Sequence, residues 1–424
     1  MPVFSGFPSG GKGLPQSWIN RVTAPALESI AENAAVKYAL TTDLSTSVTK
    51  IANPATLPTS DQGHIALSID GLVMVAVNNG SSGSTSDAAV VLYYYSRATI
   101  ADAWTYNGTI TKDWAQGSVM TAHLSPTGEF FLICGYFGAY LYRRVNGVFE
   151  SLGKKSVGTS YYRGCISPNG EFLMFIQHDA PYTVTVLKIN AAKTDYEAHS
   201  TFTGNGTALW ISCDNLRFYT SSSNSIGVYT RTGTSYSAAD TIPAAVSSVT
   251  CLDISASGRF VAFGKNSAPG LVVRRVDAPG VILTLTNTDS STGWCHGARF
   301  TPDEKHIVAI FESSPYLRIY SIGNTAITKL ANPSIMPLVP GFYSHIGPVA
   351  CGCFAFKVPA SPFLYSYSFP ISDGISNLKG LDNMALIGNP HFKGIGIAKN
   401  GSSAFGNVTV ELFDPIKNAL GGMA

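Results

Sequence analysis

One short pattern recurs through the middle of the chain: a small apolar strand ending in Ser or Thr, a turn of the Pro-Asp-Gly kind, then a second apolar strand. Its copies are Ala66-Leu-Ser-Ile-Asp-Gly71, His123-Leu-Ser-Pro-Thr-Gly128, Cys165-Ile-Ser-Pro-Asn-Gly170, Trp210-Ile-Ser-Cys-Asp-Asn215, Asp253-Ile-Ser-Ala-Ser-Gly258 and Arg299-Phe-Thr-Pro-Asp-Glu304. Counted on the hydroxyl residue they fall at Ser68, Ser125, Ser167, Ser212, Ser255 and Thr301, with spacings of 57, 42, 45, 43 and 46 residues. A period of roughly 40 to 45 residues that holds several short strands is the period of a propeller blade. The turn residues fit, because Pro presets φ, Asp or Asn bonds its own backbone, and Gly accepts positive φ.

After each turn comes an apolar run, such as Phe130 to Cys134 or Ile307 to Phe311, then a Tyr-rich third strand and a more polar fourth. That gradient suits a blade buried near its axis and wet at its rim. A seventh copy emerges by alignment, since Thr49-Lys-Ile-Ala-Asn-Pro54 and Thr328-Lys-Leu-Ala-Asn-Pro333 match almost residue for residue. Tyr343 to Ile346, Cys351 to Phe356 and Phe363 to Phe369 then become the first three strands of blade seven, and residues 46–53 its outer strand. The expected fold is all-β: a seven-bladed β-propeller over residues 46–370, closed by an N-terminal strand that removes an open sheet edge. An open array and a pair of β-sandwiches are the alternatives, and the regular repeat argues against both.

Two segments fall outside the ring. Residues 1–45 hold a Gly/Pro/Ser arm followed by Ala24, Leu27, Ile30, Ala34, Ala35 and Leu40, spacings that approximate one face of a short helix. Residues 371–424 contain Phe392 to Ala398 and Val408 to Phe413, which read as two strands forming a C-terminal β extension. Two strands are not stable alone, so this tail should lie on the propeller or pair with another chain.

Charged residues make up only 13% of the chain, about half of the roughly 25% usual in soluble domains. Few charges keep such surfaces apart, which favours a homo-oligomer or a part of a larger assembly. The net charge is +2 and the Lys and Arg residues are scattered, so nothing resembles a nucleic-acid-binding stripe. The 7 cysteines lack a dense, even framework and read as buried thiols. Met1 to Leu14 lacks the pattern of a signal peptide, and no apolar window is long enough to span a membrane.

Candidate chemistry is sparse. No His has a partner at metal-ligand spacing, and Cys351 and Cys353 would need two further ligands to hold zinc. The aligned first-strand positions Ala66, His123, Cys165, Trp210, Asp253 and Arg299 each precede a core residue, so alternation turns them away from it. His123, Asp253 and Arg299 thereby become a candidate polar cluster lining the central channel. An enzyme of the lactonase type would need such a cluster around a metal or an activated water, but this trio is a poor ligand set, and no catalytic, cofactor or metal residue is assigned. For binding, the irregular segment with Asn79, Ser84 and Asp87, together with Tyr136, Phe137, Tyr161 and Tyr162, forms a candidate loop surface for a protein or a glycan.

The units Ser314-Pro-Tyr-Leu-Arg-Ile-Tyr320 and Thr328-Lys-Leu-Ala-Asn-Pro333 and the Ser-Pro-Asn-Gly turn at 167–170 resemble the WD40-like repeats of tailed-bacteriophage and prophage proteins. The resemblance implies a non-enzymatic virion component in a tail, a fibre or the particle surface. It would contact other virion proteins through residues 1–45 and 371–424, and a host-surface protein or glycan through its loops. An intracellular WD40-like scaffold is the other non-enzymatic expectation.

Overall fold

The hydroxyl that marks each repeat ties the two inner strands of a blade together. Ser125 N–H donates to the Phe130 carbonyl at 2.8 Å, Phe130 N–H donates to Ser125 Oγ at 2.9 Å, and Gly128 N–H closes the turn on the Ser125 carbonyl at 2.9 Å. The pairs Ser68 and Val73, Ser167 and Phe172, Ser255 and Phe260, and Thr301 and His306 repeat the first two bonds at 2.9 to 3.0 Å. All five hydroxyl residues are buried, so each would leave a polar group stranded without its backbone partners. The fourth turn position needs positive φ. It is met by Gly128 at 69°, where an added Cβ would also lie 2.6 Å from Val73 Cβ of the preceding blade.

The computed structural model describes residues 21–25, 35–42, 48–58, 63–78, 90–100, 102–114, 118–156, 162–167, 170–177, 182–204, 210–213, 217–221, 225–232, 235–243, 249–255, 258–278, 281–287, 289, 293–301, 303–333, 345–349, 352–358, 362–369, 371–377, 392–398 and 407–412. Within Thr42–Pro370 these form seven antiparallel sheets in blade order. Blade one is Ile65–Leu67, Val73–Asn78, Val91–Ser96 and Thr105–Ile110; blade two is Val119–Leu124, Phe130–Gly135, Gly138–Val145 and Val148–Lys154. Blade three is Tyr162–Ile166, Phe172–Gln177, Thr183–Ile189 and Tyr196–Thr203; blade four is Trp210–Cys213, Arg217–Ser221, Ser225–Thr232 and Ser235–Pro243. Blade five is Val249–Ile254, Phe260–Lys265, Leu271–Ala278 and Val281–Thr284; blade six is Cys295–Phe300, His306–Phe311, Leu317–Ile322 and Ala326–Lys329, with Thr286–Asn287 added in parallel at its outer edge. Blade seven is His345–Ile346, Cys353–Lys357 and Leu364–Ser368, with Thr49–Lys50 in fourth place. There Thr49 sits opposite Ser368, and Ile51 N–H donates to the Ser366 carbonyl at 2.8 Å. Thr46 and Ser47 of the expected outer strand lie outside the described residues.

Burial follows position in the blade. The second strands of blades one, two and six are buried throughout, whereas the outer strand Thr105–Ile110 alternates between exposed and half-buried before ending on a buried Ile110. Because each sheet must cover both faces, the core divides into apolar clusters set between neighbouring blades. Ala66, Leu124 and Phe131 pack between blades one and two, Phe130, Leu173 and Tyr162 between two and three, and Phe260, Phe300 and Tyr320 between five and six. Between blades seven and one lie Ile65, Met74, Tyr95, Trp104, Cys353 and Leu364.

Two buried cations join that last seam. Lys357 Nζ donates to the Val77 carbonyl and to Asn78 Oδ1, both at 2.8 Å. Arg97 lies over the Trp104 ring at 4.3 Å and donates to the Gly71 carbonyl at 2.7 Å and to Cys353 Sγ at 2.9 Å.

Met1–Thr41 and Ile371–Ala424 form a second compact unit, split in sequence by the propeller. Its sheet runs Arg21–Pro25, Asn407–Leu412, Phe392–Ala398, Ala35–Thr42, Ile371–Asn377. The expected helix gives way to strands where the residues are described: Ala24 lies in Arg21–Pro25, and Ala35 and Leu40 lie in Ala35–Thr42. Leu27, Ile30 and Ala34 lie outside the described residues. The physical reason is pairing. Val22 and Ala24 face Val410 and Val408 in antiparallel register, and Ala35 faces Ile397, so the ladder overrides a helical spacing read locally. The tail strands do pair with each other, Ile397 opposite Glu411. Their further partners are the N-terminal strands Arg21–Pro25 and Ala35–Thr42 of the same chain.

Candidate functional site

The innermost strands of blades two, five and six share one irregularity. Ladder register shifts between Val119 and Thr121, between Val249 and Cys251, and between Cys295 and Gly297. Each shift leaves Met120, Thr250 or His296 as the extra residue of a β-bulge. A regular strand would put residues three apart on opposite faces. The bulge resets that alternation, so Met120 and His123, Thr250 and Asp253, and His296 and Arg299 are all partly accessible while the residues around them are buried.

The structure pairs two of the three residues singled out from the repeat, Asp253 and Arg299. Arg299 Nη1 lies 3.4 Å from Asp253 Oδ1 and 3.1 Å from the Leu252 carbonyl, while Phe300 N–H donates to Asp253 Oδ2 at 2.9 Å. Burial raises the Asp253 pKa, and the Arg299 guanidinium with the N–H groups of Phe300 and Ile254 opposes that rise. His123 from blade two lies within the same field: burial, assisted by Arg299, pushes its imidazole down to about 3, so it is neutral at physiological pH. Burial also lowers the pKa of His296. The arrangement is a carboxylate and a guanidinium that largely satisfy each other, with His123 neutral in the guanidinium's field. Among the described residues, no group of three or more His, Cys, Asp or Glu side chains is placed to hold a metal ion.

The other aligned positions behave differently. Ala66 and Cys165 are buried in the cores between blades, because their strands present those faces to a neighbouring sheet. Of the candidate loop residues, Tyr136 is 56% exposed. Phe137, expected beside it on the binding surface, is instead buried and stacked on Trp114 with centroids 4.1 Å apart. Tyr162 was expected there too, but it is core, edge-on to Phe175. In both cases an aromatic next to a turn finds more apolar area inside than out. Asn79, Ser84, Asp87 and Tyr161 lie outside the described residues.

That Thr250 and His296 are partly accessible along with Asp253 and Arg299 was not read from the sequence, although each lies three positions before one of them. Aligning the first strands back to that position would have shown them.

Searched by sequence, the chain matches no family model and no curated protein. Searched by structure, it is similar to a chain in the crystal structure of a mitotic checkpoint complex, at 11% identity and a TM-score of 0.54, over 87% of this chain and 98% of that one. A likeness at that identity shows the fold alone, a β-propeller. No helix among the described residues is long and apolar enough to cross a membrane.

Proposed function

We propose that this chain is a non-enzymatic scaffold of a bacteriophage particle, in the tail, a fibre or the surface, whose propeller makes protein contacts or host-surface contacts. The observation that carries the non-enzymatic part is the state of the axial cluster. Both Asp253 oxygens are engaged by Arg299 and the Phe300 backbone, and His123 titrates far below the pH at which a general base works. Low charge supports the assembly role, and the blade motifs at 167–170 and 314–333 support the phage origin. In this reading Thr49–Lys50 fastens the ring at blade seven. Residues 1–45 and 371–424 contact other particle proteins, and the propeller loops, with Tyr136 exposed among them, contact a host surface.

The test is quantitative mass spectrometry of purified particles together with antibody labelling under the electron microscope. Stoichiometric copies at one particle location are expected. A chain found only as a free monomer in the host cell would favour an intracellular scaffold and sink the proposal. Stoichiometric bound metal in the purified protein, measured by elemental analysis, would instead favour the lactonase reading.

A further inference from the structure

Behind the axial cluster, at the seam between blades five and six, two thiols face each other. Cys251 of Val249–Ile254 and Cys295 of Cys295–Phe300 bring their Sγ atoms to 3.9 Å, and both residues are buried. Their surroundings hold them there. Thr250 Oγ1 donates to the Cys295 carbonyl across the seam. Gly264, on the neighbouring strand of blade five, passes so close that an added Cβ would lie 2.5 Å from the Cys295 carbonyl oxygen and 2.7 Å from Cys251 Sγ.

The electrostatics distinguish this pair from the other buried thiols. Burial ordinarily pushes a thiol pKa up, and it does so for Cys134 and for Cys353, the latter to about 11 despite the Arg97 guanidinium at its sulfur. At Cys251 the direction reverses. Hydrogen bonding from Cys295 outweighs burial, and Arg299 and the Gly264 N–H add to it, while Cys295 itself is held well up. The Arg299 guanidinium favours a thiolate in this pair, as a neighbouring cation does at reactive cysteines.

We propose that Cys251 and Cys295 are a redox-active dithiol that a peroxide converts to a disulfide, fastening blade five to blade six. The Cys251 thiolate attacks one peroxide oxygen, the O–O bond breaks, and the departing hydroxide leaves as water with the proton lost by Cys251. The resulting sulfenic acid is attacked by Cys295; the S–S bond forms, the S–O bond breaks, and the second water carries away the Cys295 proton. Two thiols and one hydrogen peroxide give one disulfide and two waters, with both sulfurs oxidised and the peroxide oxygens reduced. The sulfurs must close from 3.9 Å to about 2.05 Å. Hydrogen peroxide is little larger than water, and Thr250, the residue before Cys251, is partly accessible at its bulge.

The experiment treats the reduced, folded full-length chain with hydrogen peroxide, blocks remaining thiols, digests without reductant and maps the peptides by mass spectrometry. A peptide pair joining Cys251 to Cys295, lighter by two hydrogens, is expected at a rate at least tenfold above any product at Cys134, Cys165 or Cys353, with a rise in the thermal midpoint of several degrees. Three results overturn the proposal: both thiols still alkylated after treatment, the linked pair formed only once the chain is unfolded, or Cys251 carried to sulfinic acid without linkage. Because the wild-type chain carries the readout, the test does not depend on a variant that folds. Cys295→Ser, where it folds, is expected to abolish the linked pair and leave Cys251 as a sulfenic acid that a dimedone-type probe traps.

Discussion

The seam between blades five and six and the seam between blades seven and one join similar sheets by different means. Blades five and six follow each other in the chain, and large aromatics, Phe260, Phe300, Phe311 and Tyr320, fill the space between them. Their polar contacts include the Asp253 carboxylate with the Arg299 guanidinium, the Thr250 hydroxyl on the Cys295 carbonyl and Arg275 on the Asn324 carbonyl. Blades seven and one are brought together across 280 residues, on an apolar face that includes the small Ala76, Ala355 and Cys353. There two buried cations supply directional bonds to backbone and side-chain acceptors. An apolar face accepts many partners, whereas a buried ammonium tolerates only a neighbour with acceptors at the right places. The seam that chain connectivity does not guide is the one with the more demanding chemistry.

The largest expected effect is at that seam. Lys357→Ala removes a buried stem and leaves the Val77 carbonyl and Asn78 amide without their donor, so a loss of about 4 kcal/mol is expected in denaturant unfolding. Lys357→Met keeps most of the volume and should lose about 2 kcal/mol. An unchanged midpoint for the methionine variant would mean that apolar packing alone holds the seam.

The other seam should respond less. Arg299→Met strands a largely buried Asp253 and should cost about 2 kcal/mol. Adding Asp253→Asn should restore part of that, giving a coupling of roughly 1 kcal/mol in a double-mutant cycle. Strict additivity would show that the two side chains act separately.

The difference between the seams also explains what the sequence disclosed. Blade count and the pairing of Asp253 with Arg299 were legible because the hydroxyl turn fixes a register from which both can be aligned. Lys357 and Arg97 were not, since they sit at the ends of second and third strands, where a buried cation looks like any surface one. The hydroxyl itself was read as turn punctuation, and its bonds to the opposing strand belong to a hairpin geometry that composition does not encode. At Ala24, Ala35 and Leu40 the expected helix gives way to strands, because their partners lie more than 300 residues away in sequence, Ala24 pairing with Val408. Phe137 and Tyr162 looked available because adjacency to a turn says nothing about which way a ring packs.

A smaller effect tests the repeat itself. Ser255→Ala leaves the buried Phe260 N–H without its side-chain acceptor and should cost about 1 to 2 kcal/mol by thermal or denaturant unfolding. A neutral result would mean that the hydroxyl only fills space.

The smallest effect at neutral pH, visible only on acidification, is at His123. Its folded pKa lies at about 3, against an ordinary value of 6.5. The unfolded state therefore binds the proton first, and stability falls as pH drops from 6.5 towards 3. The limiting slope for one such group is about 1.4 kcal/mol per pH unit. His123→Gln should flatten the wild-type curve over that window, and parallel curves for the two proteins would show that folding does not lower the pKa of the imidazole.

The pairing of Thr49 with Ser368 also has a consequence in time. A ribosome adds about 5 to 20 residues per second, and 319 positions separate these partners, so the early strand waits tens of seconds for its mate. During synthesis blades one to six can assemble in order, while Thr49–Lys50 and the strands before it stay unpaired until the last part of the chain emerges. Any stalled or shortened translation product would carry those strand edges bare, and quality control in the producing cell would meet the chain first at its beginning.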